Sequence, residues 1–115
     1  MVKPRESSEI QDGKTYKMET GCGHLYVTVT KDDQGLASVF SHHGKSGGCA
    51  SAQSEAICRL VSVCLRSGIE ISEVVKQLKD IKCASPILTK DGTIHSCADA
   101  LAKVLSLYID TPKPL

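Results

Sequence analysis

The sequence predicts a single α+β domain, a small antiparallel sheet of hairpins packed with about three helices. Three observations predict it. Residues 24–30 alternate: Leu25, Val27 and Val29 fall on one face, Tyr26, Thr28 and Thr30 on the other, the period of a half-buried strand. Within residues 51–67, Glu55, Arg59, Ser62 and Arg66 recur at helical spacing, and Ala56, Ile57, Cys58, Leu60, Val61, Val63, Cys64 and Leu65 between them are apolar. Finally, 115 residues hold one domain with no room for two ordinary ones.

The elements follow in order. Residues 1–13 are rich in Lys, Pro, Arg, Glu and Ser and read as a flexible polar arm. Tyr16–Glu19 is a short strand. His24–Thr30 is the long one, and Lys31-Asp32-Asp33-Gln34-Gly35 is turn chemistry leading to a second strand, Leu36–Ser41. His42–Gly48 is a loop with three glycines. The helix over 51–67 has only one narrow polar stripe, which predicts a central, largely buried helix, and Gly68 suits its C-terminal cap. Ile71, Val74, Val75 and Leu78 mark a short amphipathic helix. Pro86–Thr89 and Thr93–His95 pair across Lys90-Asp91-Gly92. Ser96 caps the last helix, with Asp99 three residues on, as in a capping box. Leu101, Val104, Leu105 and Tyr108 give that helix its buried face. The folded domain is therefore 14–109, and 110–115, with two prolines, is a flexible tail.

Composition narrows the function. Lys and Arg number 14 against 13 Asp and Glu, without the basic excess typical of a nucleic-acid or membrane-surface binder. No apolar run is long enough to span a membrane, and the polar N-terminus carries no secretory signal, so a cytoplasmic protein is expected. One Phe, three Tyr and no Trp leave the core to aliphatic residues and cysteine. Such a core gains from a staple, and in a reducing compartment a metal serves better than a disulfide.

Six cysteines are present. Cys58 and Cys64 lie on the apolar faces of the central helix and read as core residues. Cys22, Cys49, Cys83 and Cys97 all lie at element boundaries. Cys22 and Cys49 are centred on the Gln34-Gly35 turn, Cys83 and Cys97 on the Lys90-Asp91-Gly92 turn, so each pair can meet at the base of a hairpin. Cys49 and Cys97 also open helices, where the macrodipole favours a thiolate. Four thiolates suit a tetrahedral zinc site with Zn–S near 2.3 Å. Neither pair has C-x-x-C spacing, so unliganded thiols and a redox-active pair stand beside zinc as readings.

Other features carry less. Gly44-Lys45-Ser46 ends like a phosphate-binding loop, but Val39 stands where that motif needs glycine. Gly44-Lys45-Ser46-Gly47-Gly48 could still offer backbone N–H groups to an anion or nucleotide at the start of the central helix. His42 and His43 are adjacent on a strand end, point opposite ways and read as surface residues. His24 and His95, near Cys22 and Cys97, are substitute ligands or ordinary strand side chains. Cys49 with His42 or His43 has the makings of a nucleophile, without specific support.

Several separated motifs occur in order: Thr20-Gly21-Cys22-Gly23-His24, Gly44-Lys45-Ser46-Gly47-Gly48-Cys49-Ala50-Ser51, Arg66-Ser67-Gly68, Cys83-Ala84-Ser85-Pro86 and Ser96-Cys97-Ala98-Asp99. Together, over residues 15–108, they resemble the TSCPD domain. That domain is found near the C-terminus of adenosylcobalamin-dependent ribonucleoside-diphosphate reductases and as small free-standing proteins. The family name spells Thr-Ser-Cys-Pro-Asp; here His95 and Ala98 replace the Thr and Pro, while Cys97 and Asp99 remain. The resemblance implies that Cys22, Cys49, Cys83 and Cys97 form a metal site holding zinc. It further implies a free-standing accessory module that binds a reductase subunit, a nucleotide or nucleic acid. Catalysis is not implied, because a reductase's barrel and cobalamin site do not fit in this length. A thiol-redox protein supplying a reductase with electrons is the alternative. A nucleotide or nucleic-acid binder using the 44–48 loop with Arg59 and Arg66 is a further one, weakened by the scarcity of stacking aromatics.

Overall fold

The computed structural model describes residues 2–44, 48–90 and 92–109. Three strands, β1 (Asp12–Thr20), β2 (Gly23–Asp32) and β3 (Gly35–His43), form an antiparallel sheet in the order β1-β2-β3. Helix α1 (Gly48–Arg66) packs against β3, and α2 (Ile71–Leu78) packs on α3 (Cys97–Ser106). A small hairpin, β4 (Ile87–Thr89) with β5 (Gly92–Ile94), precedes α3. The α+β class holds.

The alternation in β2 works as expected. Leu25, Val27 and Val29 are fully buried and meet Val61 and Leu65 of α1, Val74 and Val75 of α2, and Leu101, Val104 and Leu105 of α3 in one aliphatic core. Each such side chain contributes about 1.5–3 kcal/mol on burial. The core closes without a buried Phe, since Phe40 is exposed.

Three elements differ from expectation. Strand β1 runs from Asp12 rather than Tyr16, pairing Asp12 with Lys31 and Gly13 with Thr30. Its early residues are polar and exposed, so the ladder, not burial, holds them. The arm before it is tied down as well. The Arg5 guanidinium forks onto Asp32 at 2.7 and 2.9 Å, and the Arg5 amide donates to the Arg66 carbonyl. Helix α1 is buried on one side only. Ser54, Cys58, Val61, Ser62 and Leu65 face inward, whereas Leu60 and Val63 are exposed. A three-stranded sheet is too small to wrap the helix, so its outer apolar residues remain in solvent. Ser62, expected on the polar stripe, is buried and bonds the amide and carbonyl of Val39 at 2.9 and 3.2 Å. Beside it, Arg66 donates to the Ala37 carbonyl at 3.1 Å.

The caps are as the residues suggest. Gly68 is left-handed (φ 86°), and the amides of Gly68 and Ile69 return to the carbonyls of Leu65 and Cys64, a Schellman closure. Ser96 accepts the Asp99 amide at the start of α3. The capping box is only half formed. The buried Asp99 carboxylate accepts from the amides of His95 and Asp80 instead, tying α3 to the end of the α2 connection.

Candidate metal centre

In an antiparallel sheet, the start of β2 and the end of β3 lie at the same end. Helices α1 and α3 also begin there, and it is at this end that Cys97 approaches the Cys22 turn. Gly21 and Cys22 form the two-residue turn between Thr20 and Gly23. The Thr20 hydroxyl fixes the turn, accepting from the Cys22 amide and donating to the Gly23 carbonyl. Gly21 is pressed against Ser85 so closely that a Cβ would sit 1.7 Å from the Ser85 carbonyl oxygen. Only glycine permits this contact, and it brings the Cys22 turn against the connection that carries Cys83. The Cys83 amide in turn donates to the His95 carbonyl, two residues before Cys97.

Cys97 is the centre of this arrangement. Its Sγ lies 3.6 Å from His43 Nε2 and 3.8 Å from Thr20 Oγ1, and it is close enough to the Cys22 thiol to interact with it. A thiol contact therefore runs across the two hairpins, Cys22 with Cys97. Cys22, Cys49 and Cys83 are exposed; Cys97 is half-buried. Burial pushes the Cys97 thiol above its ordinary pKa and neighbouring Cys22 adds to this, while the hydroxyls of Thr20 and Ser54 oppose it. The expected lowering at a helix N-terminus does not emerge, because desolvation outweighs the macrodipole. A bound cation would reverse that balance, since coordination deprotonates a thiol.

The two adjacent histidines point opposite ways, as a strand requires, but only His42 is at the surface, where it lies beside Tyr26. His43 is 6% exposed. Burial above all, then the His42 charge, holds its pKa below the ordinary value, so the ring is neutral at pH 7 and keeps a lone pair. Its Nδ1 is buried and meets no hydrogen-bond partner among the described residues, and the buried Ser54 hydroxyl likewise has none of proper geometry. His24 and His95 instead approach carboxylates, Glu19 and Asp80, each at 4.0 Å. The inward turn of His43 was legible in principle, since strand alternation puts it on the face of Leu25 and Val29's partner Val39.

Among the described residues, no three His, Cys, Asp or Glu side chains converge closely enough to hold a metal ion. The donor chemistry nevertheless fits a thiophilic ion such as zinc: thiols and a buried neutral imidazole with unmet hydrogen-bonding capacity. Cys58 is buried with its thiol pushed up by desolvation, in keeping with a core role, and Cys64 packs against the same core.

The remaining candidates lie away from the cysteine end or outside the described residues. Lys45, Ser46 and Gly47 of the glycine loop lie outside the described residues, as do Asp91 and the tail 110–115. Arg59 pairs with Glu55 at 3.2 Å and Arg66 is bound to β3; both border a groove over Phe40 and Val63, not the cysteine end. No described helix is long and apolar enough to cross a membrane.

No curated protein and no solved structure matches the chain. The model of the TSCPD domain family matches residues 2–109, which takes in all the elements described above, β1 and the tied N-terminal arm included, and on that match the chain belongs to the TSCPD domain family.

Proposed function

We propose that this chain is a metal-stapled binding module, in which boundary cysteines drawn from Cys22, Cys49, Cys83 and Cys97 hold zinc and the domain acts by docking a partner rather than by its own catalysis. The observation that carries this reading is the meeting of Cys22 and Cys97, distant in sequence, beside the buried His43 ring. A bound zinc ion would supply folding energy to a domain with no fully buried Phe or Tyr among its described residues. The chain's own part is to bring the β1–β2 turn, the Cys83 connection and the start of α3 to one place, through Gly21, Thr20 and Asp99. An open recess of about 560 Å³ beside Cys22, bordered by Glu19, His24, Tyr26 and Ile87, offers a surface there. The TSCPD resemblance makes a ribonucleotide reductase subunit the proposed partner.

The test is metal content per chain in protein purified without added metal, together with a count of free thiols before and after denaturation. About one zinc per chain, with thiols released on chelation, is expected. The same Cys22–Cys97 contact favours a second reading, a thiol-redox protein. There, the exposed Cys22 thiolate attacks a partner's disulfide and Cys97 resolves the mixed disulfide. The pair loses two electrons and two protons, and the partner leaves as a dithiol. No metal, and two thiols fewer than six before reduction, would put that reading first.

A further inference from the structure

We propose that the free edge of the sheet, along β1, is a docking groove for an extended acidic segment of a partner protein, which adds to β1 as a fourth strand. The inference rests on the binding half of the reading above and is independent of the metal.

Register leaves this edge open. Strand β1 has one strand neighbour, β2. The Gly44 amide, in line with β3, donates to the His24 carbonyl. Even-numbered residues of β2 therefore bond toward β3 there, and odd-numbered ones toward β1. Tyr16 and Met18, opposite Val27 and Leu25, bond inward, and the amides and carbonyls of Thr15 and Lys17 point away from β2. They meet no backbone partner among the described residues. The β3 edge is treated otherwise, since α1 covers it with Ser62 and Arg66.

The ground beside the open edge fits an acidic chain. Two open recesses, of about 500 and 590 Å³, lie between β1 and the β4–β5 hairpin and between β1 and the end of α3. They share Lys17, Met18 and Lys90 and so form one groove along β1. Lys17 and Lys90 are exposed, and Lys103 lines the same groove, 3.9 Å from the buried Asp99 carboxylate. Among the described residues, Glu19 is the one carboxylate that borders it. Met18 and the exposed Leu107 supply apolar ground. Strand addition draws affinity from main-chain hydrogen bonds and specificity from alternate side chains. Here the fitting segment alternates acidic residues with apolar ones. A second copy of the chain is the poorer occupant, because its own β1 would add Lys14 and Lys17 to a groove that is already basic.

The test titrates the full chain into a fluorescein-labelled peptide as long as β1 that alternates Glu with Val, read by fluorescence anisotropy, beside a Lys–Val peptide as control. The Glu–Val peptide should bind and the Lys–Val peptide should not. Lys17→Glu combined with Lys90→Glu should weaken binding by at least about 10-fold. Arg59→Glu combined with Lys76→Glu, the same change of net charge elsewhere on the surface, should leave it nearly unchanged. In the wild-type complex, hydrogen exchange at the Thr15 and Lys17 amides should slow by at least about 10-fold. That readout needs no variant and holds if one fails to fold. No binding at about 1 mM peptide, equal weakening by the two double variants, or unchanged exchange at Thr15 and Lys17 would each overturn the proposal. A dimer of the chain alone with these two amides already protected would give the edge to a second copy, and the same protection by a single-stranded oligonucleotide would give the groove to nucleic acid; either overturns it too. Metal content and thiol count, measured on the same protein, decide the metal reading separately.

Discussion

The two ends of the three-stranded sheet differ in how they treat the polar groups they cover. At the β2–β3 turn, both oxygens of Asp32 are engaged: Arg5 forks onto them, and the amides of Ser8 and Gln34 donate at 3.0 and 2.9 Å. At the opposite end, among the described residues, His43 Nδ1 and Ser54 Oγ are buried without a partner of proper geometry, and the exposed Cys22 lies against the half-buried Cys97. An unmet buried polar group costs about 1–3 kcal/mol. A chain that completes one carboxylate with four donors has the means to satisfy the other end. The contrast marks the Asp32 end as structural closure and the cysteine end as the one that leaves buried polar groups unmet among the described residues.

The largest expected effect comes from emptying the cysteine end. Chelation of the metal-loaded protein should lower the Tm by 10 °C or more, on the order of two or more kcal/mol for a domain of this size. Unchanged melting would break the contrast. Next comes Asp99→Ala, which strands the amides of Asp80 and His95 and loosens the start of α3. It should cost about 3 kcal/mol, measured by denaturant unfolding, and should reduce metal retention as well. Arg5→Ala tests the other end and should lower stability without changing metal content. Its effect has a direction in pH. Arg5, then the Ser8 amide, holds the Asp32 carboxyl far below the ordinary carboxylate range. The stabilisation is thus complete above the unfolded value, near pH 4, and is lost as pH falls through the lower folded value. Melting followed between neutral and acid pH should show a smaller acid loss in Arg5→Ala than in the wild type. The smallest effect is that of Cys58→Ala, about 1 kcal/mol by denaturant unfolding, with metal stoichiometry unchanged.

The parts of the fold legible in the sequence are those where burial writes a period. Leu25, Val27 and Val29 announce β2, and Val74 with Val75 and Leu101 with Val104 announce the inward faces of α2 and α3. The first half of β1 was hidden because its residues are held by backbone pairing to β2, and exposed polar side chains leave no alternation to read. The Arg5–Asp32 clasp joins two segments that each look like ordinary solvated sequence. Helix α1 misled in both directions: its apolar circumference promised full burial, and Ser62 looked like part of an exposed stripe. Neither the size of the sheet beside it nor the needs of a strand edge are written in the helix itself. For the candidate centre, boundary position picked out the cysteines, but hairpin symmetry did not show that Cys22 meets Cys97, because which ends of elements meet depends on packing between layers. His43 was discounted with its neighbour although alternation sends them to opposite faces.

The contact of Ser62 and Arg66 with β3 has a consequence for how the molecule lives at high concentration. The outward amide and carbonyl of Val39 and the carbonyl of Ala37 would otherwise be a template for a strand from another molecule. A hydroxyl and a guanidinium from the chain's own helix already occupy them. On the far edge, β1 carries Lys14 and Lys17, whose charges discourage stacking of like edges. Helix α1 is thus also a chain terminator for the sheet, and loosening it would expose a surface on which copies could polymerise.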